Sequence, residues 1–162
     1  MRKALFLICI FCSALVYSLS DDWYAYFTSQ CNEAGVPISV AGAILYKENP
    51  GLDPNAVSKV NRNGSRDYGL WQLNSRYLWD DFVHQYWHFQ EAFDWSNPYH
   101  STYIALRHLK WLYQLFWEQP TAQSKSWSVI LAYNCGYYAV ASGKVPASSV
   151  TYAVSVFNSV WK

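Results

Sequence analysis

The sequence predicts a mainly α fold, a single helical domain with a small loop and hairpin region around residues 58–73. Apolar residues recur three and four positions apart in several segments, which is the period of a helix that buries one face. Proline and glycine separate these segments and mark their ends. Between residues 50 and 68 turn-forming residues replace the periodic pattern, so this stretch interrupts the helices.

The first residues have the pattern of an export signal. A basic start is followed by an apolar run over residues 4–17, shorter than the ~20 residues that cross a bilayer. Small residues at Ser18 and Ser20 fit the −3 and −1 positions of a cleavage site. We expect a signal peptide at residues 1–20 and an exported mature domain at residues 21–162, in the periplasm, the cell envelope or the medium. An uncleaved anchor is the alternative.

Charge and composition narrow the class of partner. Loss of the first 20 residues removes two of the 12 basic residues, which leaves 10 against 11 acidic residues and a net charge of −1. Without a basic excess, nothing indicates nucleic-acid binding. The chain holds 9 Trp, 14 Tyr and 8 Phe, and flat aromatic rings suit carbohydrate clefts, although most rings are expected to fill the core. We expect a monomer.

Two cysteines remain in the mature segment, Cys31 and Cys135. Export would permit a Cys31–Cys135 disulfide. Two buried free thiols are the alternative, and the spacing of the two residues leaves both open.

The first two helices have clear ends. The first is predicted to begin at Asp21 and to stop at the break in residues 35–37. The second is predicted to begin near Pro37 or Ser39 and to stop at residues 49–51, Asn-Pro-Gly.

The middle of the chain mixes turns with short elements. Asn63-Gly64 could close a small hairpin, and residues 68–73 could form a short strand or extended segment. Asn74 is predicted to cap a short helix that runs to about His84.

Three further helical segments complete the chain. A long helix is predicted from Pro98, which stands in its first turn, to near Gln119. Another covers residues 127–136, and the last begins at Pro146.

Glu48 shares one helical face with Ala41, Ile44 and Leu45, so it is turned toward the core. Desolvation there, and the negative end of the helix dipole, would raise its pKa. A carboxylic acid held protonated near neutral pH is what protonation of a glycosidic oxygen requires. A surface Glu at a frayed helix end is the alternative.

Two motifs carry a resemblance to a known family. The first runs from Glu48 through Asp-Pro-x-Ala-Val-Ser at residues 53–58 to Gly-Leu-x-Gln-Leu at residues 69–73, and the second is Ala-Tyr-Asn-x-Gly at residues 132–136. Together they resemble the soluble lytic transglycosylases, whose fold is α+β and lysozyme-like with a substrate cleft. The string over residues 61–75 is similar to a narrower group, the small transglycosylases that accompany type III and type IV secretion systems and pili.

The resemblance implies a reaction on peptidoglycan glycan strands. The β-1,4 bond between N-acetylmuramic acid and N-acetylglucosamine would be cleaved with formation of 1,6-anhydromuramic acid. Glu48 would act first as acid and then as base, without a cofactor or a metal. A secretion-system or pilus component would be a further partner.

The resemblance also implies residues that bind substrate beside Glu48. They are Ser58, Asn61, Gln72, Tyr133, Asn134 and Tyr152. The sequence departs from the family at Asn49, where Ser is usual, although Asn can still donate a hydrogen bond to the carboxylate.

Asp67 leaves other functions open. Its position matches the second carboxylate of c-type lysozymes, whose loop and strand region the same string resembles, and retaining hydrolases place two carboxyl groups ~5 Å apart. The secretion-associated transglycosylases also carry an Asp here, and an Asp that bonds local backbone N–H groups in a turn is a purely structural alternative. The alternative functions are therefore a lysozyme-type hydrolase that uses Glu48 and Asp67, and a non-catalytic glycan-binding protein.

Overall fold

The computed structural model describes residues 19–78 and 82–161, and within them the chain forms seven α-helices and one antiparallel pair of short strands. In chain order the elements are α1 (Asp21–Ala34), α2 (Ile38–Glu48), β1 (Asp67–Tyr68), β2 (Leu73–Asn74), α3 (His84–Tyr86), α4 (Pro98–Leu115), α5 (Ala122–Cys135), α6 (Tyr137–Ala141) and α7 (Ala147–Val160). The predicted mainly α fold is confirmed.

The predicted signal peptide, residues 1–20, falls outside the described ranges except for its last two positions, so it stays a prediction. The bounds of the mature domain stay a prediction too. Across residues 19–78 and 82–161, no helix combines the length and the apolar character that crossing a bilayer requires.

Local capping chemistry sets the helix ends. In the uncleaved chain the hydroxyl of Ser20 accepts a hydrogen bond from the first turn of α1, and Gly35 ends that helix at a φ of 70°. The side chain of Asn97 accepts two backbone N–H groups at the start of α4. Thr121 forms a capping box at the start of α5. α4 ends at Leu115, earlier than predicted.

Buried aromatic rings join the helices to the loop region. Trp23 and Phe27 of α1 stack with centroids 5.5 Å apart, and Phe27 meets Trp71 at 6.1 Å. The indole N–H of Trp71 donates to the Thr102 hydroxyl at 3.0 Å, so this buried ring has a hydrogen-bond partner on α4. α1 packs on α4, α5 packs on α7, and α2 packs on α7. The C-terminal end of α2 therefore lies beside α7.

The small sheet interrupts the helical layers after α2. β1 and β2 pair antiparallel with Asp67 opposite Asn74, and Val57 adds a single bridge to Tyr68. The turn at Asn63-Gly64 lies between the two segments that this bridge joins, as the hairpin prediction requires.

Two local predictions are wrong. The chain reverses between β1 and β2 instead of staying extended, because Gly69 and Gln72 take positive φ values of 71° and 48°. Asn74 accepts hydrogen bonds from two following backbone N–H groups, but residues 75–78 form turns rather than a helix. The next part of the predicted helix, residues 79–81, lies outside the described ranges.

The Cys31–Cys135 disulfide does not form, and both thiols are free. Cys31 lies fully buried in the core, where burial raises its pKa to about 12. Cys135 ends α5, and its thiol donates to the Leu131 carbonyl of its own helix at 3.2 Å. Cys31 thus belongs to the core, whereas Cys135 belongs to the C-terminal end of α5.

Gly69 has no room for a side chain. A Cβ there would clash with the carbonyl oxygen of Trp95, at a φ that L-residues rarely adopt. We expect Gly69→Ala to lower the free energy of unfolding by about 3 kcal/mol or more. Gly64→Ala is the matched control, since Gly64 also has positive φ but open space around it. Its cost should be about 1 kcal/mol. Equal losses for the two variants in urea unfolding would contradict the clash.

Candidate active site

A cleft of about 730 Å³ opens between the hairpin region and the helices α4, α5 and α6. Its polar wall comes from three separate parts of the chain. The polar side chains on it include Glu48, Asn61, Asp67, Gln72, Asn74 and Asn134. Most of the predicted site residues line the cleft, namely Glu48, Asn61, Asp67, Gln72, Tyr133 and Asn134. The other two, Ser58 and Tyr152, do not line it.

Glu48 is the last residue of α2 and is only partly exposed. Its pKa is raised to about 7, chiefly because burial disfavours the charged form. The hydrogen bond from Tyr152 lowers the pKa, the charge of Asp67 raises it, and the charge of Lys47 lowers it. Glu48 is thus a carboxyl group that can hold or release a proton near neutral pH.

Tyr152 reaches Glu48 from α7. Its hydroxyl donates to Oε1 of Glu48 at 2.6 Å, which is the short distance of a strong hydrogen bond. Burial and the neighbouring Glu48 carboxylate raise the pKa of Tyr152 far above its usual range, so the phenol keeps its proton. Because Oε1 accepts from Tyr152, the proton of the neutral acid belongs on Oε2.

Asp67 is fixed by amides on both sides. Its Oδ1 accepts from Asn74 at 2.7 Å and its Oδ2 accepts from Asn61 at 3.1 Å. Ser65 Oγ accepts from the same two amides at 3.0 and 3.1 Å. The Ser58 hydroxyl accepts from the backbone N–H of Asp67 at 2.9 Å, so Ser58 positions Asp67 from outside the cleft. This network holds the carboxylate in one orientation.

Gln72 closes the reverse turn with a bond to Gly69, and Tyr133 holds that turn against α5. The Gln72 amide donates to the Gly69 carbonyl at 3.0 Å, and the Tyr133 hydroxyl donates to the Trp71 carbonyl at 3.0 Å. The polar donors of both side chains are therefore engaged within the protein, while both side chains still line the cleft. Asn134 is exposed on the same wall.

Asn49 does not donate to Glu48, and that expectation is wrong. Its amide nitrogen donates to the Asp53 carbonyl at 2.7 Å and to the Gly69 carbonyl at 3.4 Å. Its oxygen accepts from the backbone N–H of Asp53 at 3.1 Å. Asn49 is buried and joins the end of α2 to the loop that carries the other site residues.

An aromatic wall closes the other side of the cleft, and of its members only Tyr133 stood out in the sequence. From Tyr133 it continues through His108 at 5.5 Å, Trp111 at a further 5.9 Å and Tyr137 at a further 6.1 Å, all between ring centroids. Tyr138 stands exposed at the rim. His108 and Trp111 lie three positions apart on α4, a spacing typical of any amphipathic helix, so it gives no specific signal. Asn74 also lines the cleft, although the sequence indicated only a helix cap.

No cluster of three or more His, Cys, Asp or Glu side chains suited to a metal ion occurs within the described ranges. What the arrangement offers is one acid that is protonated near neutral pH, one oriented carboxylate, and a groove between a polar and an aromatic wall. These groups can transfer a proton to and from a bound saccharide and stabilise positive charge on it.

The raised pKa of Glu48 implies a cost in stability at high pH. Glu48 has a pKa of about 7 in the folded chain, against the ordinary 4.5. Its contribution to the free energy of unfolding is therefore fully present below about pH 4.5 and is lost as the pH rises through about 7. Glu48→Gln should therefore raise the free energy of unfolding at about pH 9 by up to about 3 kcal/mol, and change it little at about pH 4. Urea unfolding at both pH values measures this. A gain that does not depend on pH would contradict it.

Comparison with known proteins agrees with the geometry. No curated protein matches the chain at a significant level. A family model described as "Transglycosylase SLT domain" matches residues 25–148, a range that contains every residue lining the cleft. The resemblance to lytic transglycosylases is thereby confirmed, while the narrower secretion-associated group stays a prediction. This chain belongs to the transglycosylase SLT domain family.

Proposed function

We propose that this protein is a peptidoglycan lytic transglycosylase that cleaves the β-1,4 bond from N-acetylmuramic acid to N-acetylglucosamine and leaves a 1,6-anhydro end. Family membership supports lytic transglycosylase activity on peptidoglycan, and hence action outside the cytoplasm. The observation that carries the finer proposal is Glu48, a partly buried carboxyl group with a pKa of about 7 on a groove that is open to a strand.

Glu48 acts as acid in the first step. The proton on Oε2 passes to the glycosidic oxygen, the bond from the anomeric carbon to that oxygen breaks, and the N-acetylglucosamine side leaves with its new hydroxyl. Positive charge develops on the muramic acid ring. The Tyr152 hydroxyl, already bonded to Oε1, stabilises the carboxylate that forms.

Glu48 acts as base in the second step. Its carboxylate removes the proton from the 6-hydroxyl of the same muramic acid, whose oxygen attacks the anomeric carbon and closes the anhydro ring. The acid is restored for the next turnover, and no water is consumed. A pKa near the working pH suits a group that must give and then take a proton.

Asp67 supports this reaction as a fixed negative charge. Both of its oxygens accept amide hydrogen bonds, which favours electrostatic stabilisation over nucleophilic attack. The alternative, a lysozyme-type hydrolase that uses Glu48 and Asp67, requires Asp67 at the reacting carbon. The second alternative, a non-catalytic glycan-binding protein, requires no proton transfer at all.

We further propose that the protein is exported by a signal peptide cleaved after Ser20 and works as a monomer. The resemblance of residues 61–75 to secretion-associated transglycosylases supports a partner in a secretion system or pilus. These proposals rest on the sequence.

Product analysis separates the three functions. The mature protein should convert purified peptidoglycan into fragments with 1,6-anhydromuramic ends, each lighter by one water than the hydrolysis product, as mass spectrometry detects. Glu48→Gln should lower the rate by about a thousandfold, because proton transfer is lost. Reducing-end muramic acid alone would establish the hydrolase. Absence of both products from digests by the wild type and by Glu48→Gln would establish the non-catalytic glycan-binding protein.

Asp67→Asn completes that experiment. It removes the charge and keeps the side-chain shape, so in a transglycosylase the anhydro product should persist at a rate reduced by about tenfold or less. Near-total loss of product in Asp67→Asn would instead indicate a nucleophile and reject the proposed role of Asp67.

Tyr152→Phe should shift the pH dependence upward. The Tyr152 hydrogen bond lowers the pKa of Glu48, so its removal should move the alkaline limb of kcat/KM to higher pH by about one unit. Tyr113→Phe is the matched control, because the Tyr113 hydroxyl pairs with Ser126 at 3.0 Å, away from the cleft. A limb that stays in place or moves to lower pH would contradict this role.

A further inference from the structure

His108 is a polar side chain on the aromatic wall that the proposed reaction does not use. It projects from α4, lines the cleft and is only partly exposed. Its Nδ1 is fully buried and has no hydrogen-bond partner. Because Nδ1 is sealed, the edge of the ring that the cleft can reach is the one that carries Nε2.

The charge state and the tautomer of His108 follow from its surroundings. Burial lowers its pKa to about 4, so the ring is neutral in the range where Glu48 titrates and carries one N–H. A buried N–H without an acceptor is rarer and more costly than an unpaired acceptor. The proton therefore belongs on Nε2, where it forms a single donor directed at the groove.

Aromatic rings frame this donor. Phe82 meets the imidazole edge-on with centroids 5.0 Å apart, Trp111 stacks on it at 5.9 Å and 24°, and Tyr133 lies at 5.5 Å. The site thus combines one N–H donor with apolar ring surface. An acetamido group has the matching features, a carbonyl acceptor and a methyl group. A hydroxyl lacks the methyl group, and an ammonium has only donors.

We propose that His108, framed by Phe82, Trp111 and Tyr133, recognises the acetamido group of an N-acetylhexosamine in the bound strand. Nε2–H donates to the carbonyl oxygen, and the rings cover the methyl group. His108 is then a specificity-determining residue, and strands whose amino groups are free bind less well. This inference rests on the proposed function only in that a saccharide strand occupies the cleft.

Calorimetric binding in a Glu48→Gln background tests the proposal without turnover. The probes are tetra-N-acetylchitotetraose and its fully deacetylated counterpart, chitotetraose. His108→Phe keeps a ring and removes the donor, while His108→Gln keeps an N–H donor on a side chain of similar reach. His88→Phe is the matched control, since His88 is exposed and does not line the cleft. A thermal melt checks that each variant is folded.

We expect His108→Phe to weaken binding of the acetylated tetramer by about tenfold and to leave the weaker binding of chitotetraose unchanged. His108→Gln should recover part of the loss, and His88→Phe should change neither ligand. Equal loss for both ligands, no loss for either, or no binding of the acetylated tetramer would overturn the proposal. If the acetyl preference is found while wild-type digests lack anhydro ends, the His108 pocket stands and the proposed reaction fails. If wild-type digests contain anhydro ends but the acetyl preference is absent, the His108 pocket is rejected and the proposed reaction stands.

Discussion

The hydrogen bond from Tyr152 to Glu48 is the contact on which the site depends. It joins the end of α2 to α7, and it exists because α2 and α7 pack against each other in the core. Burial raises the pKa of Glu48, and the phenol limits the rise by favouring the carboxylate. The interface between α2 and α7 thus supplies both opposing effects. Their balance leaves the pKa of Glu48 at about 7.

The two carboxyl groups of the cleft are separated in role by their surroundings. The carboxyl group of Glu48 is desolvated and accepts one hydrogen bond, from Tyr152. The carboxylate of Asp67 accepts hydrogen bonds from the side-chain amides of Asn61 and Asn74. An acid that must carry a proton and a carboxylate that must stay oriented can therefore share one cleft. Asn49 contributes indirectly, since it fastens the loop that bears Asp67 to the end of the helix that bears Glu48.

Much of the fold could be predicted because its signals are local. Gly35 and the Asn97 cap mark helix ends through their own backbone and side-chain chemistry, and the inward orientation of Glu48 follows from the period of α2. The reverse turn at Gln72 could not be predicted, since a non-glycine residue takes positive φ there while the neighbouring Trp71 carbonyl accepts from Tyr133, 62 positions away.

The site was harder to predict where its contacts are remote in the chain. The resemblance suggested that Tyr152 reaches the cleft, but its bond to Glu48 spans 104 positions, and no pattern in the sequence specifies that distance. Apart from Tyr133, the aromatic wall could not be predicted for another reason. His108 and Trp111 look like ordinary members of an amphipathic helix until α4 is placed against the groove. The two free cysteines differ in their exposure to solvent. Cys31 is sealed in the core, while Cys135 is partly exposed on the cleft wall. In the chain from Asp21 onward, an alkylating reagent or a fluorescent maleimide would therefore meet Cys135 first, and the attached group would occupy the groove itself.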